Sequence, residues 1–261
     1  MNAAAQGLDA GGLKQAPFTR PGREGFRLQP LRALRAVRRL IADKEDTAQV
    51  FEIMRALAGD AIPRGYGRLL ATPQGGRIAY EREEFAQRLS DPAWLASFPA
   101  GTVGAAYRDF IAPRGLSAEG LAEESRKVAD TDIDAAHPLA WYARRMRDVH
   151  DVWHVLTGYG TDALGEVCVV AFSYAQTRSL GFAVIALAGA RQFSRARNGQ
   201  PYAKAAREAW RNGKACAWLP AVDYPALFAL PLDEARRKLR IPPNSIYQAI
   251  PPHLRDRFTV H

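Results

Sequence analysis

Apolar residues recur along most of this chain at steps of three and four, the spacing that gathers them on one face of an α-helix. Leu28, Leu31, Leu34, Val37 and Ile41 keep that step, while Arg32, Arg35, Arg38 and Arg39 fill the other side. The pattern predicts a basic amphipathic helix, either a first core helix with a solvated face or a helix lying on an anionic membrane. Residues 46–58 predict a second helix. Residues 59–77 carry Pro63, Gly65, Gly67, Pro73, Gly75 and Gly76, and are expected to form a long irregular loop. Helical spacing returns over residues 78–89, 102–111 and 117–129. Residues 133–156 predict one longer helix, with Pro138 near its first position and Leu139, Tyr142, Met146, Val149 and Trp153 as its buried stripe.

Residues 167–190 are strongly apolar, but Ser173, Tyr174, Gln176, Thr177, Arg178 and Ser179 interrupt the run. An arginine at mid-span would cost about 2.5 kcal/mol or more at a bilayer centre. The run is therefore expected to form two buried helices that break near Gly181, with Arg178 either a carboxylate anchor or simply exposed. Residues 201–218 and 233–239 supply the last helices. No stretch combines sustained period-two alternation with hairpin turns. These features predict an all-α fold, a single multi-helix domain over residues 26–261 behind a disordered tail over residues 1–25.

Composition narrows the partners. The chain carries 36 basic and 27 acidic residues, a net charge of +9. Such a surface suits nucleic acid, anionic lipid or acidic proteins. The chain has no zinc-ribbon, KH or RRM signature, so nucleic acid is not an expected partner. Two cysteines, Cys168 and Cys216, stand far apart without CxxC spacing, which points to a reducing compartment. Cys168 reads as a small buried apolar residue. The glycine-rich 59–77 stretch lacks the GxxxxGK[ST] of a phosphate loop.

The chemistry concentrates in one motif. His150-Asp151-Val152-Trp153-His154 is followed, after eleven residues, by Glu166. Histidines four apart sit one above the other on a helix and can bind one metal ion together. Asp151 is turned by about 100° from His150 and reaches the same ion only from the side. It also falls in line with Arg144, Arg147 and Asp148, which reads as the helix's polar edge. Glu166 would lie about 160° round from His150 on a straight helix and could not join. Gly158 and Gly160 supply the needed break. The expected site is thus helix, turn, second helix, with Glu166 early in the second helix and facing the first. Imidazole and carboxylate suit zinc and other first-row ions, Fe²⁺ among them. His150, Asp151, His154 and Glu166 are the candidate metal ligands and catalytic residues. The long apolar helices beside them could wall a channel for a lipid chain.

This motif resembles that of the coenzyme Q (ubiquinone) biosynthesis protein 4 family, in a bacterial member. Further segments resemble the family in the right order over about residues 45–245: Ala58-Gly59-Asp60, the stretch 70–78, Pro99 to Tyr107, and the stretch 232–243. The resemblance implies metal-dependent C1 decarboxylation of a polyprenylated 4-hydroxybenzoate-type precursor, simple or with hydroxylation. It also implies a peripheral position on the cytoplasmic side of a bacterial inner membrane, among other ubiquinone-biosynthesis proteins; a homodimer stays open. A prenyl-lipid-binding scaffold without catalysis is the non-enzyme alternative. The enzyme rivals are a zincin-like hydrolase, with Asp151 in place of the general-base glutamate, and a phosphohydrolase built on the His150-Asp151 pair. The first lacks an expected substrate-binding edge strand. The second finds no matching downstream partners in His137, His253 or His261.

Overall fold

A computed structural model describes residues 28–42, 46–112, 137–196 and 198–256. The expected tail over residues 1–25 and the expected helix over 117–129 lie outside these ranges. The described residues form one all-helical domain whose only extended pairing is an isolated bridge between Thr102 and Pro231. In chain order the helices are α1 (Pro30–Ala42), α2 (Thr47–Ala56), α3 (Ala61–Leu70), α4 (Pro73–Glu81), α5 (Phe85–Leu89), α6 (Pro92–Ala96), α7 (Val103–Ile111), α8 (Pro138–Asp148), α9 (His150–Thr157), α10 (Ala163–Thr177), α11 (Leu180–Ser194) and α12 (Tyr202–Ala215). Four short ones follow: α13 (Tyr224–Phe228), α14 (Leu232–Lys238), α15 (Ser245–Ala249) and α16 (Pro252–Arg255).

Helix α10 lies at the centre, packed between α11 and α12. Leu164, Val167, Cys168, Val169, Val170, Ala171 and Phe172 are all buried, which is why this stretch reads as nearly continuous apolar sequence. Both cysteines are buried and free. Helix α9 packs on α7, and its Trp153 is buried, its indole N–H donating to the Tyr224 hydroxyl at 2.7 Å. A second cluster joins Ala33 and Ala36 of α1 to Ile53 and Ala56 of α2, with Val184 and Ile185 of α11 against it.

Several expectations need correction. The 59–77 stretch is not a loop: it holds α3 and the start of α4. Its prolines stand in first turns, where no backbone N–H is missed. Pro63 is the third residue of α3, and Pro73 begins α4 behind Thr72, whose hydroxyl accepts from Gly75 N–H at 3.1 Å. A glycine inside a helix weakens it by only about 1 kcal/mol, less than packing returns. The 78–89 helix is interrupted at Arg82, whose φ of 45° closes α4. The long helix ending at 156 is kinked at Val149 (φ −86°, ψ 1°), so the histidines ride on their own short helix. The apolar run does break near Gly181, at Arg178, an exposed residue with φ 59° whose N–H reaches Tyr174 O.

Two apolar faces are not buried as expected. In α1 the core face is made by Ala33 and Ala36, while Leu31 and Leu34 turn outward, Leu31 being 72% exposed, and Leu28 just before the helix is exposed as well. The small residues allow close packing on α2, and this rotates the leucines away. In α11, Leu180 and Leu187 are likewise exposed.

Candidate metal centre

His137 starts the helix that leads into the site. Its Nδ1 accepts from Leu139 N–H at 3.2 Å, and Pro138 occupies the first position. After the Val149 kink, His150 and His154 stand one turn apart on α9, with Nε2 atoms 3.3 Å from each other. Gly158, with φ 73°, ends α9 in the left-handed conformation that glycine adopts without a steric penalty. The chain turns, and Asp162 begins α10 by accepting from Gly165 N–H at 2.8 Å. Glu166 therefore falls in the first turn of α10 and faces back towards α9. Its Oε1 lies 3.3 Å from His154 Nε2, and its Oε2 3.6 Å from His150 Nε2.

His154 is oriented from behind. Its Nδ1 is 3.0 Å from the Tyr159 carbonyl oxygen, which only accepts, so Nδ1 carries a proton and Nε2 is the nitrogen turned to the site. Phe110 of α7 stacks on the same ring at 5.5 Å. His154 is 1% exposed, whereas the Glu166 side chain is 45% exposed, so the pair spans the boundary between core and solvent. Burial works against the charge on both Glu166 and His150, yet their contacts win. The imidazoles hold the Glu166 carboxyl well below the usual carboxylate range, and Glu166 raises His150.

Asp151 is also brought in. Ligand atoms of His150, Asp151 and His154 all lie within 4.8 Å of one another. The expectation that Asp151 shares an exposed polar edge with Asp148 and Arg147 fails, however. Asp148 is 1% exposed and pairs with Arg147 at 2.8 Å, leaving Asp148 Oδ2 and Arg147 Nη1 buried without a hydrogen bond.

The supporting residues around this centre escaped sequence reasoning. Arg236 of α14 donates from Nε to Leu156 O (3.0 Å) and from Nη2 to Val155 O (3.1 Å), capping the helix that carries the histidines. Tyr247 of α15 touches the turn at Gly160 and Asp162. Both come from more than 79 residues along the chain, and no local pattern points to them. Asp162 alone had a readable signal, as a capping residue directly before an apolar run.

A profile of the family described as "Coenzyme Q (ubiquinone) biosynthesis protein Coq4" matches residues 30–245, most of the chain and all four residues of the centre. The chain belongs to the Coq4 family. That family takes part in ubiquinone biosynthesis. A mitochondrial COQ4 homolog of Danio rerio is 31% identical over 190 residues, covering 70% of this chain and 66% of that protein. The human mitochondrial homolog is 34% identical over 105 residues, covering 40% of this chain and 37% of its own. The matched stretch is thus under two thirds of the length of these Coq4 relatives. A crystal structure from Nostoc punctiforme PCC 73102, provisionally named as a ubiquinone biosynthesis protein, has the same fold. Its TM-score is 0.61 at 22% identity, covering 82% of this chain and 99% of that one.

Proposed function

We propose that this Coq4-family protein holds one divalent metal ion through His150, His154 and Glu166, with Asp151 beside them. We propose further that it removes the C1 carboxyl group of a polyprenylated 4-hydroxybenzoate-type precursor of ubiquinone. The observation that carries this reading is the convergence of three side chains: the two imidazole Nε2 atoms lie 3.3 Å apart, and the Glu166 carboxylate sets Oε1 3.3 Å from His154 Nε2 and Oε2 3.6 Å from His150 Nε2. Zinc bonds of about 2.0–2.1 Å at tetrahedral angles place neighbouring ligand atoms about 3.3 Å apart. The two imidazole nitrogens match that separation and each carboxylate oxygen stands at or near it from one of them, which leaves room for Asp151, water or substrate.

In simple decarboxylation the bond from the ring to the carboxylate breaks and carbon dioxide leaves. The ring carbon keeps the electron pair and takes up one proton. Bound zinc would supply Lewis-acid stabilisation of substrate negative charge, and oxidative replacement by hydroxyl would instead require a redox ion such as Fe²⁺. The chain's own part is orientation. The Tyr159 carbonyl fixes the His154 tautomer, and the imidazoles keep Glu166 ionised. Phe110 gives one side of the site an apolar flank suited to an aromatic ring. We place the prenyl tail in an apolar channel leading from this flank, where burial would contribute at most about 0.8 kcal/mol per CH₂.

Complementation tests the reading. Cells lacking the gene are expected to accumulate a prenylated aromatic acid and to lack ubiquinone. Glu166→Ala, if folded, should fail to clear that acid. Normal ubiquinone from a stable Glu166→Ala protein would remove catalysis from this site and favour the scaffold.

We also propose a peripheral place on the cytoplasmic side of a bacterial inner membrane, beside other ubiquinone-biosynthesis enzymes. No described helix is long and apolar enough to cross a membrane. Exposed Leu31 and Leu34 share α1 with exposed Arg35, Arg38 and Arg39, and Leu28 is exposed just before it. Each basic side chain near an anionic surface contributes about 1 kcal/mol. Flotation with anionic vesicles and not with neutral ones is expected, and Leu31→Glu should weaken it. Absence from both fractions would sink the membrane proposal.

A further inference from the structure

The turn between the two ligand-bearing helices is pinned by one phenol. Tyr247, 1% exposed, accepts from Gly160 N–H at 2.9 Å and donates to the Asp162 carboxylate. Tyr159, immediately before Gly160, supplies the carbonyl that takes the His154 Nδ1 proton. Asp162 begins α10, and its carbonyl accepts from Glu166 N–H at 3.0 Å. The two sides of the turn thus orient two different residues of the centre, and the Tyr247 hydroxyl ties them together. Tyr247 is itself held by two neighbours: its ring meets Tyr159 edge-on at 5.3 Å, and the Arg255 guanidinium lies over it at 4.3 Å.

We infer that Tyr247 is a positioning residue for the metal centre, fixing the His154 tautomer and the place of Glu166 through the 159–162 turn. This rests on the metal reading above. Removing a group that orients a ligand commonly weakens metal affinity by about 10–100-fold. A merely structural phenol would lower stability and leave the imidazole untouched.

The test compares Tyr247→Phe with Tyr202→Phe. Tyr202 is also buried and hydrogen-bonded through its hydroxyl, to Asn198 and to Leu254 O, with no bond to the turn. Zinc alone is the probe, titrated against a chromophoric chelator. The His154 tautomer is read separately by imidazole ¹⁵N shifts in the metal-free protein. The expected result for Tyr247→Phe is a loss of zinc affinity of about 10–100-fold and a His154 ring that no longer holds its proton on Nδ1 alone. Tyr202→Phe should keep the wild-type values of both. If Tyr247→Phe does not fold, Asp162→Asn takes its place: it keeps an oxygen for Gly165 N–H and removes the charge that holds the phenol. Unchanged zinc affinity and an unchanged tautomer in the variant would overturn the inference, as would an equal loss in Tyr202→Phe. If the wild-type protein takes up no zinc or other divalent ion, the metal reading falls by itself. The metal-free ¹⁵N shifts then decide alone whether Tyr247 sets the His154 tautomer.

Discussion

His154→Ala is expected to lower divalent-metal affinity by roughly two to three orders of magnitude while leaving the helical core folded. Structural zinc sites bind with about 10–16 kcal/mol shared over four ligands, so one ligand accounts for about 2.5–4 kcal/mol. His154 is the best fixed of the four candidates, since its Nδ1 proton is already committed to the Tyr159 carbonyl and Phe110 covers its ring. Little ordering is left for the metal to impose, and removal of the side chain cannot be made good by a neighbour. The substitution has a second readout that involves no metal. Glu166 owes its low pKa to His154 and His150, so loss of one imidazole should let its carboxyl climb back towards the ordinary range. Chelator competition measures the first effect and a carboxyl ¹³C titration the second. Undiminished metal binding in a folded His154→Ala protein would exclude this residue as a ligand.

Gly165→Ala should damage the same centre without touching a ligand. A Cβ at this position would stand 2.0 Å from the Gly160 carbonyl oxygen and 2.7 Å from its carbon. Both are backbone atoms and cannot rotate aside, so either the turn or the first turn of α10 must move. Glu166 is the next residue and would move with it. Forcing extra volume into a packed site costs about 1–3 kcal/mol, and a displaced Glu166 would weaken metal binding as well. The expected outcome is a lower denaturant midpoint at unchanged slope, together with reduced metal affinity. A variant as stable as the wild type, with full metal affinity, would show that the close approach of α10 to the turn is not needed.

The comparison of sequence with structure divides along a physical line. The placement of His150, His154 and Glu166 was legible, because helical periodicity fixes the first two and a glycine turn is the only short route that returns the third. The all-α class was legible from the same periodicity. Proline and glycine misled over residues 59–77, since their effect depends on whether they stand in a first turn or an interior, and the chain alone did not mark the helix starts clearly. The orientation of α1 was left open between core and membrane for a different reason. Leucine spacing located an amphipathic helix, but alanines face its neighbour, and the choice between two apolar stripes is made by packing. Arg147 and Asp148 looked like a solvated edge and are instead a largely buried ion pair just before the histidine-bearing helix. Arg236 and Tyr247 brace the site from the far end of the chain, a tertiary arrangement with no trace in local pattern.

Metal held at His150, His154 and Glu166 is proposed to drive loss of the substrate carboxyl group. The most direct test is release of labelled carbon dioxide from a carboxyl-labelled prenylated 4-hydroxybenzoate by the purified protein. The measurement is made metal-free and again after addition of one equivalent of zinc or ferrous iron. The account predicts one bound ion per chain and carbon dioxide release that depends on it, absent in Glu166→Ala. Release that continues unchanged in the metal-free protein, or a protein that binds no ion at all, would contradict it.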